Sequence, residues 1–274
     1  MSLVKVLEMA SATDPGLVRS HNEDSIAVDA DIGLAVLADG MGGYNAGEVA
    51  SGIAVSLIMS EMQQALPSVD PHAAGGVSGE TIGEVLLRDK IGRANASIFQ
   101  AAISQPQYAG MGTTLVAALF YDNRVSVGHI GDSRMYRLRA GQFEQITRDH
   151  SLLQEQIDSG MISKEMARLS QNKNLVTRAV GIDPDVEAEI HTHAVQAGDI
   201  YLICSDGLND MVEDEEIGAT LGMLEANLPL AATQLVQMAN DNGGRDNISV
   251  ILIKVLSEFP AQGGWFAKFL SWFK

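Results

Sequence analysis

Asp39 closes an apolar run, Gly33–Ala38, and is followed at once by Gly40-Met41-Gly42-Gly43. Asp132 lies in Gly131-Asp132-Ser133-Arg134, Asp206 in Cys204-Ser205-Asp206-Gly207, and Asp246 in Gly243-Gly244-Arg245-Asp246-Asn247. Aspartate beside glycine is ordinary turn chemistry. Four such sites at the ends of apolar runs, far apart in sequence, also fit a shared site for a hard divalent cation, which takes carboxylate, carbonyl and water oxygens. Glycine then lets a backbone carbonyl approach the ion closely. A fifth element, Asp14-Pro15-Gly16-Leu17-Val18-Arg19-Ser20-His21-Asn22-Glu23-Asp24, ends in two adjacent carboxylates and carries Arg19 four residues before the first.

Positioning these residues requires strands that end where the aspartates stand. Short runs rich in Val, Ile and Leu predict strands at Leu3–Met9, Ser25–Asp29, Gly33–Ala38, Thr114–Tyr121, Arg124–Ile130, Arg134–Arg139, Val186–His193, Asp199–Cys204 and Ile248–Val255. Turn signals at Asp122-Asn123 and Arg139-Ala140-Gly141 make Thr114–Gln145 a set of consecutive antiparallel strands. Asn45–Leu66 and Glu80–Ile103 read as long helices joined by the Pro- and Gly-bearing loop Val69–Gly79. Shorter helices are expected at His150–Ser159, Lys164–Ser170, Glu213–Leu221 and Leu228–Asn240. This order of elements predicts an α+β domain with helices outside sheets.

With all five acidic elements in this order, the chain closely resembles the metal-dependent serine/threonine phosphatases of the PP2C (PPM) family in their compact bacterial form, from about Asp14 to Val255. Gly110-Met111-Gly112-Thr113-Thr114, Thr147-Arg148-Asp149-His150-Ser151 and Thr177-Arg178-Ala179-Val180-Gly181 add to the match. The resemblance implies a four-layer α-β-β-α sandwich of two antiparallel sheets over residues 1–256, with a flap insert at about 151–176. Lys173 within it and Arg178 just after it could meet an acidic or phosphorylated peptide. It implies two Mn2+ or Mg2+ ions, with Asp39 bridging them, the Gly40 carbonyl completing one, and Asp206 and Asp246 holding the second. Glu23 and Asp24 would act through water, Arg19 would bind the substrate phosphate, and Asp132, shared with Asp206, would hold a third ion. Hydrolysis of phosphoserine and phosphothreonine in proteins follows, with a Ser/Thr kinase or its substrates as partners. A catalytically silent phosphoprotein-binding or scaffolding module is the alternative, disfavoured because every expected carboxylate is present. Where many eukaryotic members carry histidine after the Asp-Gly pair, this chain has Met41, so the proton donor stays open between metal-bound water and His21.

Composition narrows the field. The 274 residues include 18 basic and 35 acidic side chains, a formal charge of -17 that disfavours nucleic acid as a partner. A phosphorylated substrate would need locally gathered positive charge. Cys204, the single cysteine, fits a reducing compartment. It lacks the arginine six positions on that a cysteine-dependent phosphatase uses, since Asp210 stands there, and it reads as a buried strand residue. His191 and His193 alternate on one strand face with no third ligand evident nearby, so they read as surface residues. No run approaches the ~20 apolar residues of a spanning helix and none resembles a signal peptide, so a cytoplasmic monomer is expected. The segment 257–274 reads as a linker and an aromatic amphipathic tail. Trp265, Phe266, Phe269, Leu270, Trp272 and Phe273 share one side of a helical wheel, a pattern suited to a membrane surface, a groove on a partner or the domain's own surface.

Overall fold

Alternation within the apolar runs divides their side chains between separate cores. In the strand Ile248–Val255, Ile248, Val250 and Leu252 enter one hydrophobic cluster while Ile251, Ile253 and Val255 enter another. The same split separates Ile200, Leu202 and Cys204 from Tyr201 and Ile203, and Leu34, Val36 and Ala38 from Ala35 and Leu37. Strands of this kind are covered on both faces, which is why they read as nearly unbroken apolar runs. A fully buried Leu or Ile contributes roughly 1.5–3 kcal/mol.

The computed structural model describes residues 3–43, 46–76, 79–163, 166 and 175–259. Its strands are β1 (Leu7–Asp14), β2 (Asp24–Asp29), β3 (Leu34–Met41), β4 (Gly112–Thr113), β5 (Leu115–Tyr121), β6 (Arg124–Ile130), β7 (Arg134–Arg139), β8 (Gln142–Gln145), β9 (Glu189–Ala194), β10 (Ile200–Cys204) and β11 (Ile248–Val255). One antiparallel sheet runs β1-β11-β10-β7-β8; the other runs β2-β3-β5-β6-β9, with β4 paired to β3. The helices are α1 (Ala46–Ala65), α2 (Ile82–Ser104), α3 (Leu152–Asp158), α4 (Asp206–Asn209), α5 (Asp214–Met223) and α6 (Leu228–Asp241).

Three clusters define four layers. One joins α1 and α2 to the outer face of the second sheet through Ala50, Ile58, Leu87, Ile91 and Ile98. Another lies between the sheets around Leu37, Phe120, Tyr201 and Ile251, and the last joins α5 and α6 to the first sheet through Ile217, Leu221, Leu228 and Leu235. The α+β sandwich of two antiparallel sheets expected from the sequence is therefore the observed architecture.

Local chemistry sets the boundaries. Thr81 caps α2 by accepting from the Glu84 amide while the Glu84 carboxylate accepts from the Thr81 amide, a reciprocal capping box that starts the helix after Glu80. The first strand differs from expectation. Leu3–Val6 form a turn closed by Val6 and Leu7 amides on the Leu3 carbonyl, and the strand is displaced to Leu7–Asp14, where all eight residues pair with β11. Ladder pairing outweighs the modest hydropathy of Ala10-Ser11-Ala12-Thr13. Among the described residues no helix is long and apolar enough to cross a membrane. The expected helix Lys164–Ser170, apart from Met166, and the tail Trp265–Lys274 lie outside the described residues, as does Lys173.

Candidate metal centre

Strand ends bring the five acidic elements to one edge of the sandwich. Asp24, at the start of β2, stands directly opposite Asp39 near the end of β3. Asp206 follows the end of β10, Asp246 precedes β11, and Cys204 pairs with Val250 across those two strands. Asp132 lies in the connection between β6 and β7, whose Arg134 is opposite Cys204. Antiparallel registers thus gather residues separated by more than two hundred positions.

Electrostatics shows how closely the carboxylates crowd. Burial pushes the Asp39 carboxyl well above its ordinary range, and Asp24, Asp206, Asp132 and Asp246 push it further. Burial does the same to Asp206, reinforced by Asp132, Asp210, Asp246 and Asp24. Asp24 is raised to about 6, chiefly by burial, and so is Asp132, with Asp149 adding to it. Glu23 is raised by burial against the opposing pull of Arg19. Like charges sharing a poorly solvated site cannot all ionise without compensation. Asp24 accepts the Ser205 hydroxyl at 2.8 Å on Oδ2, but its buried Oδ1 has no hydrogen-bond partner among the described residues. An orphaned acceptor among crowded carboxylates suits hard divalent cations, which need oxygen ligands.

The backbone around this edge is tightly held. The Asp39 amide donates to Thr114 Oγ1 at 3.1 Å, and Thr113 Oγ1 donates to the Asp39 carbonyl at 2.8 Å. Gly40 lets β3 lie against α1: a Cβ there would strike the Gly47 carbonyl. At the start of that helix the Gly47 amide hydrogen-bonds the Glu23 carboxylate. Arg19, half exposed, donates to Asp246 Oδ2 at 2.6 Å. Its guanidinium is accordingly stabilised in the charged form, first by that hydrogen bond.

Sequence reasoning left two contributors without a role. Asn247, only 5% exposed, accepts the Glu23 amide at 2.7 Å and donates to the carbonyls of Pro15 at 3.0 Å and His21 at 2.9 Å. It splices the Arg19–Glu23 loop to β11. Asp210, whose amide donates to the Asp206 carbonyl at 2.8 Å, adds its charge to Asp206 and Asp132. An aspartate four residues after Asp206, one helical turn on, was the available signal. Asn247→Ala is expected to cost about 2–3 kcal/mol, because it removes three part-buried hydrogen bonds to the backbone from a buried side chain. Urea unfolding measures this, and a loss under half a kcal/mol would mean the loop is held by other contacts.

Other expected residues fall elsewhere. His21 is exposed, and Met41, half-buried, pairs with Gly112 at the end of β3. Arg178 is exposed on the second foot of the expected flap, of which 151–163, 166, 175 and 176 are described. Cys204 is buried and free, and burial pushes its thiol far up, away from nucleophilic use. His191 is exposed, as expected, and His193 is half-buried; Glu189 hydrogen-bonds His191, and the His129 ring stacks at 6.3 Å from that of His191.

The same fold appears in the catalytic domain of the serine/threonine protein phosphatase PstP solved with two manganese ions, at a TM-score of 0.80 and 38% identity over 92% of this chain and 99% of that one. The architecture is thus that of the PPM phosphatases. The chain belongs to the protein phosphatase 2C family, whose profile matches residues 18–252. It is 40% identical over 253 residues to the serine/threonine protein phosphatase PstP of Mycobacterium tuberculosis, covering 92% of this chain and 45% of that protein. It is 38% identical over 245 residues to the serine/threonine phosphatase stp of Listeria welshimeri, covering 88% of this chain and 93% of that one. The chain therefore spans about half the length of the mycobacterial relative it matches.

Proposed function

We propose that this protein hydrolyses phosphoserine and phosphothreonine in proteins at a centre of two Mn2+ or Mg2+ ions. The observation that carries the proposal is the convergence of Asp24, Asp39, Asp132, Asp206 and Asp246 on one edge, where burial raises the carboxyls of Asp24, Asp39, Asp132 and Asp206 and Asp24 Oδ1 is left without a partner among the described residues. Asp39 and the Gly40 carbonyl would hold the first ion, Asp39, Asp206 and Asp246 the second, and Asp132 with Asp206 a third. Glu23 and Asp24 would act through water. When bound, such ions supply a water of lowered pKa and neutralise charge on the phosphoryl oxygens. The likeness to a relative solved with two manganese ions supports this reading.

The chain's own groups orient the substrate. Arg19 is paired with Asp246 here. Committing Asp246 to an ion would free the guanidinium to take two phosphate oxygens, which its planar fork suits. With methionine at position 41 and His21 exposed, no imidazole follows the Asp-Gly pair, and the leaving alkoxide would take its proton from water. A Ser/Thr kinase or its substrates would supply the phosphorylated partner, and the expected tail, Trp265–Lys274, would serve as an address rather than in catalysis.

Release of phosphate from a phosphothreonine peptide, with and without Mn2+, tests the activity; metal-independent release would sink the mechanism, and no release would favour the silent module. Arg19→Ala is expected to lower kcat/KM on that peptide about 30- to 100-fold, roughly 2–3 kcal/mol of transition-state stabilisation. Its melting temperature should barely move, because exposed ion pairs contribute little. Unchanged kcat/KM would remove Arg19 from the site.

A further inference from the structure

Away from the acidic edge, the imidazoles of His129 and His150 stack with centroids 4.7 Å apart, and Glu189 stands opposite His129 on the neighbouring strand β9. Both histidines are buried, at 0% and 6% exposure. The ligating atoms of His129, His150 and Glu189 lie within 4.8 Å of one another, a spacing that a transition ion tolerates. Their hydrogen bonds assign a different role. The Gly131 amide donates to His150 Nδ1 at 3.2 Å, so the neutral ring carries its hydrogen on Nε2, which donates to Glu189 Oε2 at 3.0 Å. That ring keeps no lone pair for an ion. Burial would raise the Glu189 carboxyl, but the hydrogen bonds from His150 and His191 outweigh it and hold it at about 2, a charged acceptor throughout the neutral range.

What His150 grips is the peptide just before Asp132. Its backbone amide donates to the Gly131 carbonyl at 2.8 Å while its ring takes the Gly131 amide, so Gly131 is held on both sides. Gly131 needs such holding. It sits at φ +101°, and a Cβ there would press on Thr114 at 2.7 Å, so no side chain of its own can anchor it. On the other flank of Asp132, Ser133 Oγ shares a hydrogen bond with Thr114 Oγ1 at 2.6 Å. His150 also accepts the Thr177 amide at 2.8 Å through its carbonyl, and Leu152 donates to the Leu175 carbonyl at 2.9 Å. One residue thus joins both feet of the 151–176 insert to the loop that carries Asp132.

We propose that Glu189 and His150 are positioning residues for Asp132: the carboxylate fixes the tautomer and orientation of the imidazole, and the imidazole fixes the Gly131 backbone that aims Asp132 at its ion. The carboxylate–histidine arrangement is the one by which groups behind a metal ligand tune it, here acting through a peptide rather than on the ligand itself. This inference rests on the reading that Asp132 holds an ion of the proposed centre, and its test separates the two. Mn2+ binding to the full chain is measured by calorimetry and by the paramagnetic resonance of free Mn2+, without substrate. Glu189→Ala and His150→Ala should each weaken the weakest resolved Mn2+ site about tenfold or more, leaving tighter sites within about threefold, as disruption behind a ligand does. Glu189→Gln, which keeps an acceptor for Nε2–H, and His150→Asn, whose amide oxygen can take the Gly131 amide, should recover to within about threefold of the parent. Parent-like binding by Glu189→Ala, even with a lowered melting temperature, would reduce the pair to a structural role and overturn the inference while leaving the metal centre intact. Equal weakening of every site, or failure of both conservative variants to recover, would overturn it as well. A parent chain that binds no Mn2+ would overturn both readings.

Discussion

Asp39→Asn is expected to lower phosphate release about a thousandfold, roughly 4 kcal/mol in barrier, while raising the melting temperature of the metal-free protein. The two effects have one cause. Asp39 sits where burial and four neighbouring aspartates oppose its ionisation. A carboxyl whose folded pKa is raised takes up protons on folding, so it destabilises the fold once pH exceeds its unfolded value near 3.9. Asparagine matches its shape without the charge and relieves that cost by about 1–3 kcal/mol, a few degrees for a domain of this size. With Mn2+ the sign reverses, because the amide is a poorer ligand than the carboxylate that would bridge the ions. Steady-state kinetics in Mn2+ and calorimetric melting in chelator read the two arms. An active variant would remove Asp39 from the centre, and a lower melting temperature in chelator would refute the crowding account.

Removing metal from the parent should abolish activity and lower its melting temperature by about 5–10 °C, the equivalent of a ligand present at some hundredfold over its dissociation constant, about 2.7 kcal/mol. The gap should widen with pH. Asp24 and Asp132 titrate at about 6 in the folded chain, so the metal-free protein loses stability as pH rises from about 4 through 6, whereas bound cations offset the same charges. Glu189 works in the opposite sense: held at about 2, its contribution is complete above the unfolded value near 4.3 and is lost only as pH falls toward 2. It therefore leaves the window from pH 5 to 7.5 undisturbed. Melting scans with Mn2+ and with chelator across that window measure the gap. A gap that narrows toward neutral pH would contradict the assignment of these carboxylates to cations.

Most of the sandwich was legible in the chain because its strands are covered on both faces and so appear as dense apolar runs. Arg124–Ile130, Arg134–Arg139 and Ile248–Val255 match their predicted bounds. The first strand was displaced because its residues are held by pairing with β11, a partner more than two hundred positions away whose pull leaves no local mark. The acidic site was legible for a related reason: aspartates beside glycine at strand ends keep the same local chemistry wherever the strands go.

The amino-acid sequence by itself determined the two-sheet class, the family and the residues proposed here as ligands, since each depends on local periodicity or on motifs a few residues long. Tertiary structure alone decided which groups hold those residues in place. Asn247 became a splice between two distant loops, Asp210 joined the acidic edge, and His150 with Glu189, unremarkable in their own segments, closed on the backbone before Asp132. Hydrogen bonds across 19 and 39 positions depend on strand register and on which tautomer a buried ring must adopt. Those are properties of the packed chain, because only burial makes an unpaired nitrogen or amide costly enough to dictate its partner.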